Sequence, residues 1–147
     1  MIFLDANVFL RYLVQAVTPE QRTMAETARS LFEAVHRGEV EVTTTEVVLH
    51  EVVYDLASKK HYGLPPADIA AALKLILSLP GFRLPRGEKR LYLRAFDLYV
   101  RYPQLGFADA IVAARVTEKG MPLATFDGDF DGLPGVTRWQ PPESGAL

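Results

Sequence analysis

The chain has 147 residues, which is the size of one ordinary folded domain with room for a substantial core. Its 49% hydrophobic and 23% charged residues are typical of a globular protein and exclude an intrinsically disordered chain. The formal net charge of −2 counts against a nucleic-acid partner held by charge alone, unless acidic and basic groups occupy separate regions.

The sequence also argues against a membrane-spanning, secreted or disulfide-bonded protein. No apolar run reaches the ~18 residues of a membrane-spanning helix, and the start at Met1 lacks the basic segment and cleavage site of a secretory signal. Cysteine is absent, which excludes disulfides and thiolate metal ligands and suits a reducing compartment. We therefore expect a cytoplasmic protein with no membrane partner, forming a single domain over residues 1–147 with a loose tail from about residue 141.

Helix and strand patterns alternate along the chain. Apolar residues three and four apart indicate helices, and short apolar or alternating runs indicate strands. Capping patterns mark two helix starts, at Thr18 before Pro19 and at Thr43 with Glu46 three residues later. Strands are predicted at residues 2–4, 40–42, 82–84, 122–126 and 136–139, and helices at 7–14, 18–38 with its caps, 43–60, 68–79, 87–102 and 107–119.

This alternation predicts an α/β fold, with a mostly parallel central sheet between helices on both faces. In such sheets the functional site lies beyond the carboxyl ends of the strands. Asp5 follows the first apolar run, and Asp127 follows the run at residues 122–126. The two aspartates are therefore the first candidate site residues.

Two further acids lie in apolar surroundings. Asp109 belongs to an otherwise apolar helix, where an ionised carboxylate is costly to bury; the alternative is an acid stabilised by the helix dipole. Glu51 has Val47 and Val48 one helical turn before it and Tyr54 after it. Glu46 competes with Glu51, but the Thr43 capping pattern offers Glu46 a structural role. Asp109 and Glu51 are therefore preferred.

The turn from Asp127 to Gly132 contains three alternating aspartates, which invites comparison with a calcium loop. An EF-hand requires a glutamate at its twelfth position, and that position is Arg138 here. We therefore interpret Asp127 as the site residue and Asp129 as a possible helper. Carboxylates without cysteine or a suitably spaced histidine pair favour Mg²⁺ or Mn²⁺ over Zn²⁺.

Four segments together resemble the successive motifs of PIN domains. They are residues 2–9, 49–54, 107–114 and 123–130, and they occur in the family's order over nearly the whole chain. The resemblance implies a three-layer α/β/α PIN-like fold and a metal-dependent endoribonuclease that leaves a 5′-phosphate and a 3′-hydroxyl. It implies that one or two Mg²⁺ or Mn²⁺ ions are held by Asp5, Glu51, Asp109 and Asp127. Asn7 and Thr125 are implied as polar groups near the metal water.

Compact members of this family are commonly VapC-like toxins of type II toxin–antitoxin systems. The resemblance therefore implies an RNA substrate, a small antitoxin protein as partner, and a homodimer. One alternative is a non-catalytic PIN-fold module that binds RNA or protein. A second is a receiver-like phosphoryl-handling domain, for which neither the acceptor aspartate nor the lysine can be placed.

Residues 61–102 match no motif of the family, and substrate choice is expected there or in nearby loops. Within them, a basic stretch runs from Arg83 to Arg101. Such a stretch is usually a solvated face, and the alternative is a rim that binds phosphates beside the acidic site.

Overall fold

The computed structural model describes residues 1–142. They form two compact units, one from Met1 to Lys89 and the other from Arg90 onward. Among the described residues, no helix is long and apolar enough to cross a membrane. The tail predicted from about residue 141 lies, beyond residue 142, outside the described residues. Residues 1–142 contain six α-helices, which are α1 Ala6–Leu13, α2 Pro19–His36, α3 Glu46–Ala57, α4 Pro66–Leu77, α5 Glu88–Arg101 and α6 Phe107–Lys119.

The first unit contains a short parallel sheet. Strand β1 (Ile2–Phe3) pairs with β2 (Val42–Thr43), and Phe82 adds a single parallel bridge to Val42. The expected parallel pairing is confirmed, although each strand is shorter than predicted. Although an apolar run such as residues 2–4 suggests a buried strand, only Leu4 is buried, and Ile2 and Phe3 are 45% and 55% exposed. A sheet two residues long covers too little of either face to enclose them.

Local capping signals place α2 where the sequence predicts it. The Thr18 hydroxyl accepts a hydrogen bond from the Gln21 N–H at 3.1 Å, and Pro19 is the first helical residue. Gly38, at φ 74°, follows the end of the helix in the left-handed conformation that glycine tolerates. Beneath α2 the Phe9 ring packs against Phe32, with ring centroids 6.0 Å apart.

The predicted start of α3 was wrong. Thr43 belongs to β2, and the helix begins at Glu46 after Thr45, which makes no side-chain cap. The tertiary structure uses this segment differently: the buried Thr44 hydroxyl donates to the Leu4 carbonyl at 2.9 Å. Strand pairing therefore outweighs the local capping pattern, and Glu46 has no capping-box role.

The second unit is mainly helical. Gly120 ends α6 in the left-handed conformation at φ 65°, as its position predicts. The strands predicted at 122–126 and 136–139 are reduced to one parallel bridge between Leu123 and Arg138. Between these segments a 3₁₀ helix runs over Gly128–Phe130. The second unit has a core cluster of buried residues, namely Leu105, Ala113, Phe130 and Leu133.

Candidate active site

Asp5 stands where the first unit's β1 gives way to α1. It is exposed and caps the helix, and its Oδ1 accepts a hydrogen bond from the Ala6 N–H at 2.8 Å. Thr44 ties the preceding residue, Leu4, to the segment after β2, which fixes the end of β1. Asn7 is exposed in the first turn of the same helix. The sequence therefore located Asp5 correctly at the carboxyl end of a strand.

Glu51 lies on the exposed side of α3, which packs against α1 within the first unit. The expectation of a carboxylate among buried apolar neighbours was wrong for this residue. Val48 is buried, whereas Val47 and Tyr54 are 77% and 68% exposed, on the same side as Glu51. Glu46 is the first residue of α3, so the capping-box reason for preferring Glu51 no longer applies.

Asp109 is the third residue of α6 and is half-buried. Its pKa is raised above the ordinary value by desolvation first, and then by the negative charges of Asp127 and Asp129. A backbone hydrogen bond with Gly106 opposes that rise. The helix dipole alone would lower the pKa of an acid in this position, so a purely structural cap does not account for it. The second unit therefore brings three acids within electrostatic reach of one another.

Asp127 begins a tightly hydrogen-bonded loop in the second unit. Its N–H donates to the Thr125 hydroxyl at 3.0 Å, and its Oδ1 accepts from the Asp129 N–H at 2.8 Å. Phe130 is buried in the core cluster and anchors the loop from below. Asp127 and Asp129 themselves remain exposed. Thr125 therefore helps to position Asp127 through a hydrogen bond to its main chain.

Arg138 organises this loop, and sequence reasoning missed it. Its guanidinium donates to the Thr125 carbonyl at 2.7 Å, to the Asp127 carbonyl at 3.0 Å and to the Asp131 carboxylate at 2.7 Å. In the sequence, Arg138 is distinguished only by occupying the position of the last ligand of an EF-hand. No sequence pattern reveals its contacts, because they connect positions eleven and thirteen residues apart.

The fit of these side chains to a divalent cation depends on their spacing and on their chemistry. Within residues 1–142, no three Asp, Glu or His side chains lie in positions that could hold a metal ion together. The chemistry of the donor set does fit a hard cation: the candidates are carboxylates, and Asp109 is destabilised in its charged form by two neighbouring charges that a cation would offset.

These features define an α/β protein in which Asp5 and Asp127 follow parallel-paired segments and Asp109 lies in the first turn of a helix. The PIN domain family model matches residues 2–136, so the chain belongs to the PIN domain family. PIN domains are typically nucleases and typically use divalent metal ions. No curated protein sequence matches the chain.

Proposed function

We propose that this chain is a divalent-metal-dependent endoribonuclease that hydrolyses RNA phosphodiester bonds. The observation that carries the proposal is the surroundings of Asp109, whose pKa is raised by desolvation first and then by the negative charges of Asp127 and Asp129. A bound cation would offset the repulsion among these carboxylates and so stabilise their charged forms. The chain that carries them belongs to a family of nucleases. Asp5, at the end of β1, supplies a further exposed carboxylate.

The proposed metal ligands are Asp5, Glu51, Asp109 and Asp127, and the proposed ion is Mg²⁺ or Mn²⁺. Such an ion supplies polarisation of the phosphoryl oxygens and a lower pKa for the attacking water. Each of these carboxylates would offer negative charge to the ion, and a carboxylate next to the attacking water would accept the proton that the water loses. Asn7 and Thr125 are proposed as polar residues near the metal-bound water. Thr125 would act through its hydrogen bond with the main chain of Asp127.

The test is cleavage of a labelled single-stranded RNA by the parent and by variants of the ligands. Asp5→Asn, Glu51→Gln and Asp109→Asn should each lower the rate in Mn²⁺ by more than about 100-fold, because even residues that only support metal ligands cost 10–100-fold. Glu46→Gln is the matched control for Glu51→Gln, since it removes the same charge from the same helix. The parent should be inactive in EDTA.

Three outcomes would contradict the proposal or its ligands. Equal cleavage by the parent in Mn²⁺ and in EDTA would exclude a metal-dependent reaction. An active Glu51→Gln beside an inactive Glu46→Gln would transfer the role to Glu46. RNA binding without any cleavage would favour a non-catalytic PIN-fold module.

The chain is also proposed to be the toxin of a type II toxin–antitoxin pair and to act as a homodimer in the cytoplasm. This rests on the resemblance to compact toxins of the family. Expression of the chain alone should arrest growth, and a small protein encoded beside it should relieve the arrest. Harmless expression of an enzyme that cleaves RNA would remove the toxin role and leave the nuclease. Light scattering of the purified protein would show whether it is dimeric.

A further inference from the structure

The first unit contains a polar cavity of about 430 Å³ beside the carboxyl end of α1 and the part of α2 from Arg22 to Arg29. Three arginines line it: Arg11 from the last turn of α1, and Arg22 and Arg29 from α2. Among the described residues that line it, Glu26 is the one acidic residue. The cavity therefore carries a clear excess of positive charge in a chain whose net charge is negative.

The three guanidinium groups have no ion pair or hydrogen bond with any other residue between 1 and 142. Two arginines of the basic stretch do have carboxylate partners: Arg83 pairs with Glu41 at 3.5 Å, and Arg90 pairs with Glu118. Guanidinium groups that converge on a concave surface without carboxylate partners are suited to bidentate contacts with phosphate. The cavity therefore offers three guanidinium groups whose charge is not already neutralised by a carboxylate partner.

The cavity is connected with a candidate site residue through α1. Arg11 also lines a neighbouring apolar groove of about 270 Å³, and Asn7 lies at that groove too. Asp5 caps the same helix six residues before Arg11, which corresponds to about 9 Å along the axis. A nucleic-acid strand whose reacting phosphate lies near Asp5 can therefore place a flanking phosphate at Arg11.

We propose that Arg11, Arg22 and Arg29 form a binding site for the phosphate backbone of RNA next to the cleaved bond. The inference rests on the proposed nuclease function for the identity of the strand. An RNA strand fits better than an acidic protein segment because the cavity lies on the helix that Asp5 caps, where the substrate must already be held. Backbone contacts of this kind give affinity without sequence preference.

The test measures RNA affinity rather than cleavage. A labelled single-stranded RNA is titrated in EDTA, by fluorescence anisotropy and at several salt concentrations, with the parent and the triple variant Arg11→Gln, Arg22→Gln, Arg29→Gln. The variant should bind on the order of tenfold more weakly at low salt. The slope of log affinity against log salt should fall by about 2, since each phosphate contact in a single strand contributes about 0.7.

The matched control removes the same charge elsewhere in the first unit. Lys59→Gln, Lys60→Gln, Arg86→Gln alters three exposed cations outside the cavity and should leave the salt slope close to that of the parent. Single substitutions, each with its Arg→Lys counterpart, serve if the triple variant does not fold. Lysine should retain most of the salt slope because the charge remains.

The outcomes separate this site from the nuclease function. If the triple variant binds RNA as tightly as the control, the phosphate site is wrong, even where the parent cleaves RNA in Mn²⁺. If the triple variant loses affinity while the parent cleaves nothing in any metal, the phosphate site stands and the nuclease function fails. If the substitutions weaken binding of polyglutamate but not of RNA, the cavity is a site for an acidic protein and the proposal is overturned.

Discussion

The Arg138 guanidinium donates a hydrogen bond to the main-chain carbonyl of Asp127 at 3.0 Å. It reaches Thr125 in the same way and pairs with Asp131, so a single planar group spans the loop on both sides of the aspartate. Because guanidinium donors are fixed in one plane, the loop can adopt few other conformations without losing these bonds. Arg138 is therefore a positioning residue for the carboxylate of Asp127.

Replacing Arg138 should impair the reaction more than the binding of RNA. We expect Arg138→Gln to lower kcat by about 10–100-fold, the range for residues that orient metal ligands, and to raise the Mn²⁺ concentration needed for half-maximal activity. The KM for RNA should change little. Arg138→Lys should restore part of kcat, and Arg101→Gln on α5 is the control for loss of an exposed charge. An equal loss of kcat in both glutamine variants would show a nonspecific charge effect.

Removing the charge of Asp109 should stabilise the metal-free protein. Asp109→Asn relieves desolvation and the repulsion from Asp127 and Asp129. Since the group is partly solvated, we expect the melting temperature in EDTA to rise by only about 1–3 °C. The matched control is Asp68→Asn, because Asp68 is also the third residue of a helix, α4. That variant should melt at the same temperature as the parent or slightly lower, since it loses a favourable dipole interaction.

A divalent metal should reduce the difference in melting temperature between Asp109→Asn and the parent, or make the parent the more stable protein. Millimolar Mn²⁺ stabilises the parent in proportion to RT ln(1 + [L]/Kd), and it stabilises Asp109→Asn less because a ligand is missing. Thermal melting of both proteins with and without Mn²⁺ measures the effect. A parent whose melting temperature does not respond to Mn²⁺, combined with an Asp109→Asn variant destabilised in EDTA, would make Asp109 a structural helix acid.

Lowering the pH should reduce the difference in melting temperature between Asp109→Asn and the parent in EDTA. The folded protein holds a proton on Asp109 at a higher pH than the unfolded chain, because the pKa of this carboxyl is raised above 3.8. The penalty for its charge is therefore present at pH 7 and disappears as the pH falls through the raised pKa toward 3.8. Melting temperatures of the two proteins should converge over that interval. A gap that widens on acidification would mean that the pKa is lowered instead.

Gly81 should be intolerant of any side chain. A Cβ atom there would lie 2.1 Å from the Val40 carbonyl oxygen and 2.9 Å from that of Val35, and both atoms belong to the backbone. Gly81 also bonds to Val35 and Val42 through its own main chain, so it cannot move away without breaking the sheet. We expect Gly81→Ala to cost about 3 kcal/mol or more of the free energy of unfolding. Gly106→Ala, with open space around it, should cost far less. Chemical denaturation of both variants measures the difference.

Helix boundaries that depend on neighbouring residues could be predicted from the sequence. The Thr18 cap, and Gly38 and Gly120 beyond helix ends, involve contacts within a few positions of the chain. The start of α3 could not be predicted, because β2 takes Thr43 through its pairing with Phe3, forty residues earlier. A local capping pattern has no means of registering a partner at that distance.

The same division holds for the candidate site. Asp109 could be selected from the sequence by the cost of burying a charge in an apolar helix, and Asp5 by its position after an apolar run that predicts a strand. Only the tertiary structure decided that Glu51 is exposed. It also decided the hydrogen bonds by which Arg138 holds the loop around Asp127. Burial and long-range hydrogen bonding depend on which segments pack together, and periodicity along the chain does not specify that.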